Sequence, residues 1–407
     1  MKIAFVTSTF PSISQTFILS QVTALLDLDH DVRIFAFGAE SGIVHEDVAE
    51  RGLLDRTVYL VPPPGALRRY AAAAGMFPRI GPGNIGRVAG SLNPVANGPG
   101  VVNLRALYSW MPLAAGRPYD IVHCHFGGVG RRVVPAVPAV RPGAFVTTFY
   151  GHDVYRETQA AQGLYHRLAV QGDAFIALSG PMRQDLIALG LPEAKTFIHP
   201  LGIYSDRFRP RKRVSVPGPV EVITIARLVE KKGIEFALRA VAEYSSRPGA
   251  LPLSYKIVGE GPLRTPLEAT AAELGLGQCV RFLGAKSQRQ VEDLIGEADV
   301  FLLPSVTAAD GDKEGTPTTL IEAQAMGIPV LSTIHSGIPE IVEGGVTGFL
   351  APERDVPALS SRLGQLVEDA ELRSSMGMAG RARVLERYDA RKLADRQVDI
   401  YRRLIKR

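Results

Sequence analysis

Two carboxylates, Glu314 and Glu322, bracket the stretch Gly315-Thr316-Pro317-Thr318-Thr319-Leu320-Ile321. Thr is favoured at a helix N-cap and Pro at the first helical position, so this spacing predicts a helix capped by Thr316 and entered at Pro317. A capping box would put Glu or Gln at Thr319, and none is there, so no carboxylate competes for the amides of the first turn. Free amides at the positive end of a helix dipole form an anion site suited to a diphosphate. Carboxylates do nothing for phosphate itself. They accept hydroxyl protons, which points to a sugar carried on that diphosphate. The plainer alternative is a capped amphipathic helix with surface glutamates.

A second cluster lies in Ile225-Ala226-Arg227-Leu228-Val229-Glu230-Lys231-Lys232-Gly233, where Arg227 and Lys232 follow an apolar run. Two cations at a strand's carboxyl end can neutralise a leaving diphosphate. Val258-Gly259-Glu260-Gly261-Pro262 permits close backbone approach after another strand. It is no dinucleotide fingerprint, because Arg264 stands at the third glycine position. The loop Ser8-Thr9-Phe10-Pro11-Ser12 lacks that fingerprint too, which weighs against a nicotinamide-dependent dehydrogenase. In the first half, His152-Asp153 follows the apolar run Phe145–Thr148 and could bond a hydroxyl or stabilise charge; a loop histidine beside a turn-forming aspartate is the plain alternative. His123 and His125 share a strand face, but no second Cys/His cluster with ligand spacing accompanies them, so no metal site is expected.

These residues need a scaffold of strands that end in loops. Ile3–Val6, Val32–Phe37, Val58–Val61, Ile121–Cys124, Phe145–Thr148 and Ala174–Leu178 read as buried strands alternating with helical patterns. After an Arg/Pro/Val-rich linker over 207–219, a second series follows: Val220–Ala226, Tyr255–Val258, Val280–Leu283, Val300–Leu303, Pro329–Ser332 and Gly348–Leu350. Helices fit between them over 233–245, 263–274, 287–298 and 318–326. The expectation is an α/β protein of two doubly wound, Rossmann-like domains facing across a cleft, with ligands at the carboxyl ends of the strands. The expected division is 1–205 and 206–387, with a charged amphipathic helix over 388–407 packing back on the first domain.

Composition narrows the function classes. The 407 residues are 46% hydrophobic and 21% charged, which excludes global disorder, and 2 Cys exclude a disulfide framework. The net charge of +5 is uneven: residues 65–150 hold nine arginines, no lysine and one acid. With Met76, Phe77, Leu104, Leu107, Tyr108, Trp110 and Met111 interleaved, that basic segment reads as a surface for anionic lipid, or else as an ordinary solvated Arg-rich face. No nucleic-acid recognition motif accompanies the charge. The first residues form neither a signal peptide nor a membrane span, so a cytoplasmic protein, peripheral on the inner face of the membrane, is expected.

Ala226-Arg227-Leu228 with Lys232-Gly233, the Gly259 loop, Glu314 through Glu322, Gly327-Ile328-Pro329-Val330 and Ser336-Gly337-Ile338-Pro339-Glu340 together resemble the retaining glycosyltransferases of family 4, with the GT-B fold. Phe10-Pro11-Ser12-Ile13-Ser14-Gln15-Thr16-Phe17-Ile18, Gly151-His152-Asp153 and Gly311-Asp312-Lys313-Glu314-Gly315 are similar, more narrowly, to colanic-acid-type exopolysaccharide transferases. The resemblance implies that the second domain binds a nucleotide sugar and the first a saccharide or polyprenyl-diphosphate-linked acceptor. It implies that Arg227 and Lys232 hold the diphosphate, Glu322 the ribose and Glu314 the donor sugar. It further implies that backbone from Gly315 through Thr316, Pro317 and Thr318 to Thr319 lies beside sugar and phosphate, and that His152 touches the sugar near the reacting carbon. Leu283, Gly284 and Ala285 would line the base pocket, with no metal or other cofactor. Many members carry paired glycines after strand one; Phe10-Pro11-Ser12-Ile13-Ser14 replaces them here, and Ser12, Ser14, Thr16 and Asp153 are the acceptor-side candidates. Transfer to a soluble acceptor, or nucleotide-sugar binding without catalysis, are the competing readings.

Overall fold

A computed structural model describes residues 1–12, 15–40, 46–74, 104–114, 118–155, 163–210 and 218–406. The chain divides into two compact units: Met1–Ala177 with Arg183–His199 and Ala394–Arg407, and Leu178–Met182 with Pro200–Leu393.

The first unit is built on a seven-stranded parallel sheet in the order β3-β2-β1-β4-β5-β6-β7. The strands are β1 (Lys2–Thr7), β2 (Asp31–Ala36), β3 (Thr57–Tyr59), β4 (Ile121–His125), β5 (Ala144–Thr148), β6 (Ala174–Ala177) and β7 (Thr196–Ile198). β4 and β5 are buried along their whole length, their polar residues His123, His125, Thr147 and Thr148 included, as strands of a parallel sheet covered on both faces are. Val398, Tyr401 and Leu404 of the helix Ala390–Ile405 join Ile3, Phe5, Val22 and Ile121 in one core cluster.

The basic segment departs from its lipid-facing reading. Leu107, Tyr108, Trp110 and Met111 are all buried. Leu107 and Met111 pack with Ala73 and Ala139, and Trp110 packs with Ala136 while its indole N–H donates to Arg132 O at 3.1 Å. An amphipathic helix must cover its apolar face, and here the protein itself supplies the cover. Met76 and Phe77 lie outside the described residues. No described helix is long and apolar enough to cross a membrane.

The second unit is built on a six-stranded parallel sheet in the order β10-β9-β8-β11-β12-β13. Its strands are β8 (Val220–Ile225), β9 (Leu253–Val258), β10 (Val280–Gly284), β11 (Val300–Leu303), β12 (Val330–Thr333) and β13 (Gly348–Ala351). Helices Ile234–Ser245 and Val356–Glu368 bury their apolar stripes on one face with Leu253, Tyr255 and Leu331. Helix Thr318–Ala325 covers the other face with Ile223, Phe301 and Val330.

Candidate active site

The order of the second sheet reverses between β8 and β11. An open parallel sheet takes its ligand outside the carboxyl ends of the strands at such a reversal. The loops after β8, β9 and β11 carry the candidate donor residues.

Beyond β8, Ala226 N–H donates to Val258 O at 3.0 Å and Leu228 N–H to Glu260 O at 2.9 Å, so the two loops stay paired past their strands. Gly259 sits at φ +138°, and a Cβ there would lie 1.9 Å from Ala226 O. The close approach that Gly259 permits is therefore to this chain's own backbone. It holds the main chain on which Arg227 stands. The Arg227 side chain is exposed and makes no ion pair or hydrogen bond among the described residues.

Glu230–Lys232 form a single 3-10 turn, and Gly233, at φ +63°, turns the chain into helix Ile234–Ser245. The loop after β11 straps down over this turn. Val306 N–H donates to Lys231 O at 2.9 Å and Ala309 N–H to Glu230 Oε1 at 2.8 Å. Lys231 Nζ donates to Asp312 Oδ1 and Lys313 O, both at 3.1 Å. Lys232 Nζ lies 3.0 Å from both carboxylate oxygens of Glu314, a pair with side chains 14% and 6% exposed. Burial alone would push the Glu314 carboxyl up; Lys232, then Lys231, bring it below the ordinary carboxyl value instead. The junction rests on Gly233, where a Cβ would meet Pro304 O at 1.8 Å. Gly233→Ala is expected to lower stability by about 2–3 kcal/mol or more, from left-handed strain plus that clash. Thermal unfolding checks it, and an unshifted melting temperature would show that the junction yields.

Helix Thr318–Ala325 starts one residue later than its caps predicted. Pro317 is the cap residue, at φ −74° and ψ 97°, and no side chain caps the helix, so Thr316 is not the N-cap. The extended backbone at Pro317 moves the first helical residue to Thr318. The expected consequence stands: no side-chain acceptor takes the first-turn amides of Thr318 and Thr319. Gly315 and Thr316 lead into that turn, and Glu314 precedes them, its carbonyl held by Ser336 Oγ at 2.9 Å.

Glu322 lies on this helix, 7% exposed, and its carboxylate accepts no hydrogen bond among the described residues. Burial, then the nearby Glu292 carboxylate, push it up to about 7, with Arg207 opposing. Arg207 Nη2 stands 3.5 Å from Glu292 Oε1. Leu283 and Gly284 close β10, Leu283 half-buried and Gly284 at φ +72°, and exposed Ala285 follows. Gly259 N–H donates to Gly284 O at 3.0 Å, which ties this loop to the one behind Arg227.

In the first unit, His152 is exposed on the short helix Gly151–Tyr155. Asp153 is placed otherwise than an acceptor-binding group would be. It is 1% exposed; one oxygen accepts Tyr150 N–H at 2.7 Å and the other accepts Gly127 N–H. Tyr165 OH donates to Asp153 O at 2.7 Å. Asp153 thus locks the loop that presents His152. Ser12 and Thr16 are half-buried beside β1, while Ser14 lies outside the described residues. His123 is fully enclosed, with Nδ1 2.6 Å from Tyr401 OH and Nε2 2.7 Å from Thr148 Oγ1. His125 Nδ1 is 2.8 Å from Tyr150 OH, and burial pulls the His125 ring down to about 3. Both histidines are neutral members of a buried polar network.

Glu292, Arg207, His335 and Glu353 escaped the sequence reading. His335 Nε2 accepts Glu314 N–H at 3.1 Å, and its Nδ1 lies 2.6 Å from Glu353 Oε1. These partners come from distant segments, and no local spacing marks them.

Residues 206–383 match the family described as glycosyl transferases group 1, and residues 14–207 the one described as glycosyltransferase family 4. The amylovoran biosynthesis glycosyltransferase AmsK of Erwinia amylovora is 35% identical over 399 residues, covering 94% of this chain and 95% of that protein. The putative colanic acid biosynthesis glycosyltransferase WcaL of Salmonella typhimurium is 35% identical over 378 residues, covering 90% of each. In backbone, the chain is similar to Anabaena Alr3699/HepE, solved with UDP and glucose, with TM-score 0.74 at 17% identity over 98% of this chain and 99% of that one. It is also similar to sucrose-phosphate synthase of Thermosynechococcus elongatus, with TM-score 0.71 at 18% identity over 100% of both chains. With two parallel-sheet domains of this order and relatives along nearly its whole length, the chain belongs to glycosyltransferase family 4 and has the GT-B fold.

Proposed function

We propose that this enzyme moves a sugar from a nucleoside diphosphate sugar onto a saccharide acceptor carried on a polyprenyl diphosphate, in the assembly of a bacterial exopolysaccharide. The observation that carries the donor half is the grouping of Arg227, Lys232 and the uncapped start of helix Thr318–Ala325 on the loops beyond β8 and β11. Cations and free amides there offset the charge of a departing diphosphate, so the chemistry is assigned to these residues without a metal. Glu314 and Glu322 are assigned to hydroxyls of donor sugar and ribose, and His152 to the sugar near the reacting carbon. Retention follows from front-face transfer, in which the leaving diphosphate accepts the proton of the incoming hydroxyl. The acceptor assignment draws on the names of AmsK and WcaL and on the arginines of residues 65–150; Arg68, Arg131 and Arg141 are exposed. The place of action is the inner face of the membrane.

The test is nucleotide release from a mixture of UDP-glucose, UDP-galactose and GDP-mannose, with and without membrane lipid extract. Arg227→Ala and Glu314→Ala are each expected to cut release by about 100-fold or more, with Arg227→Ala leaving the melting temperature unchanged. Full activity in both variants overturns the assignment. Flotation with anionic vesicles tests the acceptor's setting. Absence of binding, together with transfer to a soluble sugar, favours the soluble-acceptor reading.

A further inference from the structure

The Glu314 backbone is held at both of its polar groups by one dipeptide. Its N–H donates to His335 Nε2 at 3.1 Å and its carbonyl accepts from Ser336 Oγ at 2.9 Å. An amide N–H only donates, so Nε2 must be the accepting nitrogen and the ring proton sits on Nδ1. That proton is aimed at Glu353 Oε1, 2.6 Å away. Glu353 is itself fixed, because its other oxygen accepts Thr307 N–H at 2.8 Å and Oε1 takes Thr307 Oγ1 at 3.3 Å. Thr307 begins the strap that ends at Glu314, so the chain Thr307–Glu353–His335–Glu314 ties the two ends of one loop. His335 is 2% exposed. The charged groups around it are Glu353 on one side and, on the other, the Glu314 carboxylate with Lys232 and Lys231 behind it.

We propose that His335, oriented by Glu353, is a positioning residue that sets Glu314 and the donor loop for transfer, and that its protonation releases them. Neutral His335 offers a lone pair to the Glu314 amide. Protonated, Nε2 becomes a donor facing a donor, the hydrogen bond is lost, and the loop is freed on the acid side. The proposal rests on the reading of Glu314 as the donor-sugar contact.

Two measurements on the full chain test it. In 15N spectra, His335 is expected to show a protonated Nδ1 and an unprotonated Nε2, and the Glu314 amide to shift with the same pH midpoint as the ring. An Nε2–H tautomer, or a Glu314 amide that ignores the ring's midpoint, overturns the proposal. In nucleotide release from the same donor mixture, His335→Leu is expected to lower kcat/KM by about tenfold or more. His335→Gln places a carbonyl oxygen near the position of Nε2, so it should restore most of that loss and flatten the acid side of the pH profile. Wild-type kcat/KM and pH profile in His335→Leu, beside an inactive Glu314→Ala, overturn the proposal alone. Full release by Glu314→Ala overturns the reading of Glu314 and the proposal with it.

Discussion

Lys232→Ala is expected to lose both stability and transfer. The lysine neutralises a carboxylate that is 5% exposed, and removing it leaves Glu314 buried with its nearest cation gone. Breaking a buried pair from one side costs about 3–5 kcal/mol, because the remaining charge keeps its desolvation penalty without the attraction. Glu314 would then take up a proton well above its present range. Since the pair holds the Glu314 carboxyl below 4.5, its contribution to stability is present above that value and lost as pH falls through the folded value. The destabilisation by Lys232→Ala should therefore be large at neutral pH and shrink in acid. Combining Lys232→Met with Glu314→Gln removes both charges, and should recover most of the melting temperature while leaving transfer abolished. A Lys232→Ala protein that melts within a degree or so of wild type at neutral pH would show that the pair contributes nothing.

Glu322→Gln has the opposite profile: a more stable protein that binds nucleotide worse. Glu322 is raised from 4.5 to about 7 by burial and by Glu292, so the folded chain holds a proton that the unfolded chain gives up. Its contribution to stability is whole below 4.5 and is lost as pH rises towards about 7. The amide carries no such penalty. Glu322→Gln should raise stability by on the order of 1–3 kcal/mol above neutrality and hardly at all at acid pH. The same change replaces a charged acceptor for ribose hydroxyls with a neutral one, weakening affinity by about tenfold or more. Thermal-shift titration with UDP, GDP and ADP reads both effects at once. Unaltered affinity for all three nucleotides would remove Glu322 from the ribose, and a lower melting temperature at neutral pH would contradict its raised carboxyl.

The two sheets were legible because parallel strands buried on both faces leave unbroken apolar runs, as Val300–Leu303 does. Arg227 and Lys232 could be singled out because they are charged residues standing past such a run, and Glu314 because it brackets a helix start together with Glu322. What stayed hidden was non-local. Lys232 meets Glu314 across 82 positions in sequence, and His335 meets Glu353 across 18, with neither helical nor strand spacing to announce them. Trp110 and Tyr108 were misplaced for a related reason: an apolar helix face shows that something must cover it, not what does. The helix at Thr318 was displaced because Pro317 favours extended backbone as readily as a first helical turn.

The packing of helix Ala390–Ile405 into the first sheet has a consequence for biosynthesis. His123 lies 278 positions before Tyr401 and 274 before Gln397, yet all three share one buried network. At about 5–20 residues per second, a ribosome needs on the order of 10 seconds or more to travel that distance. Through that interval Ile3, Phe5 and Ile121 emerge without Val398 and Tyr401, their eventual neighbours. The first domain to be translated is thus completed only by residues made after the second, and a nascent chain stalled before Val398 carries an open apolar seam for chaperones to hold.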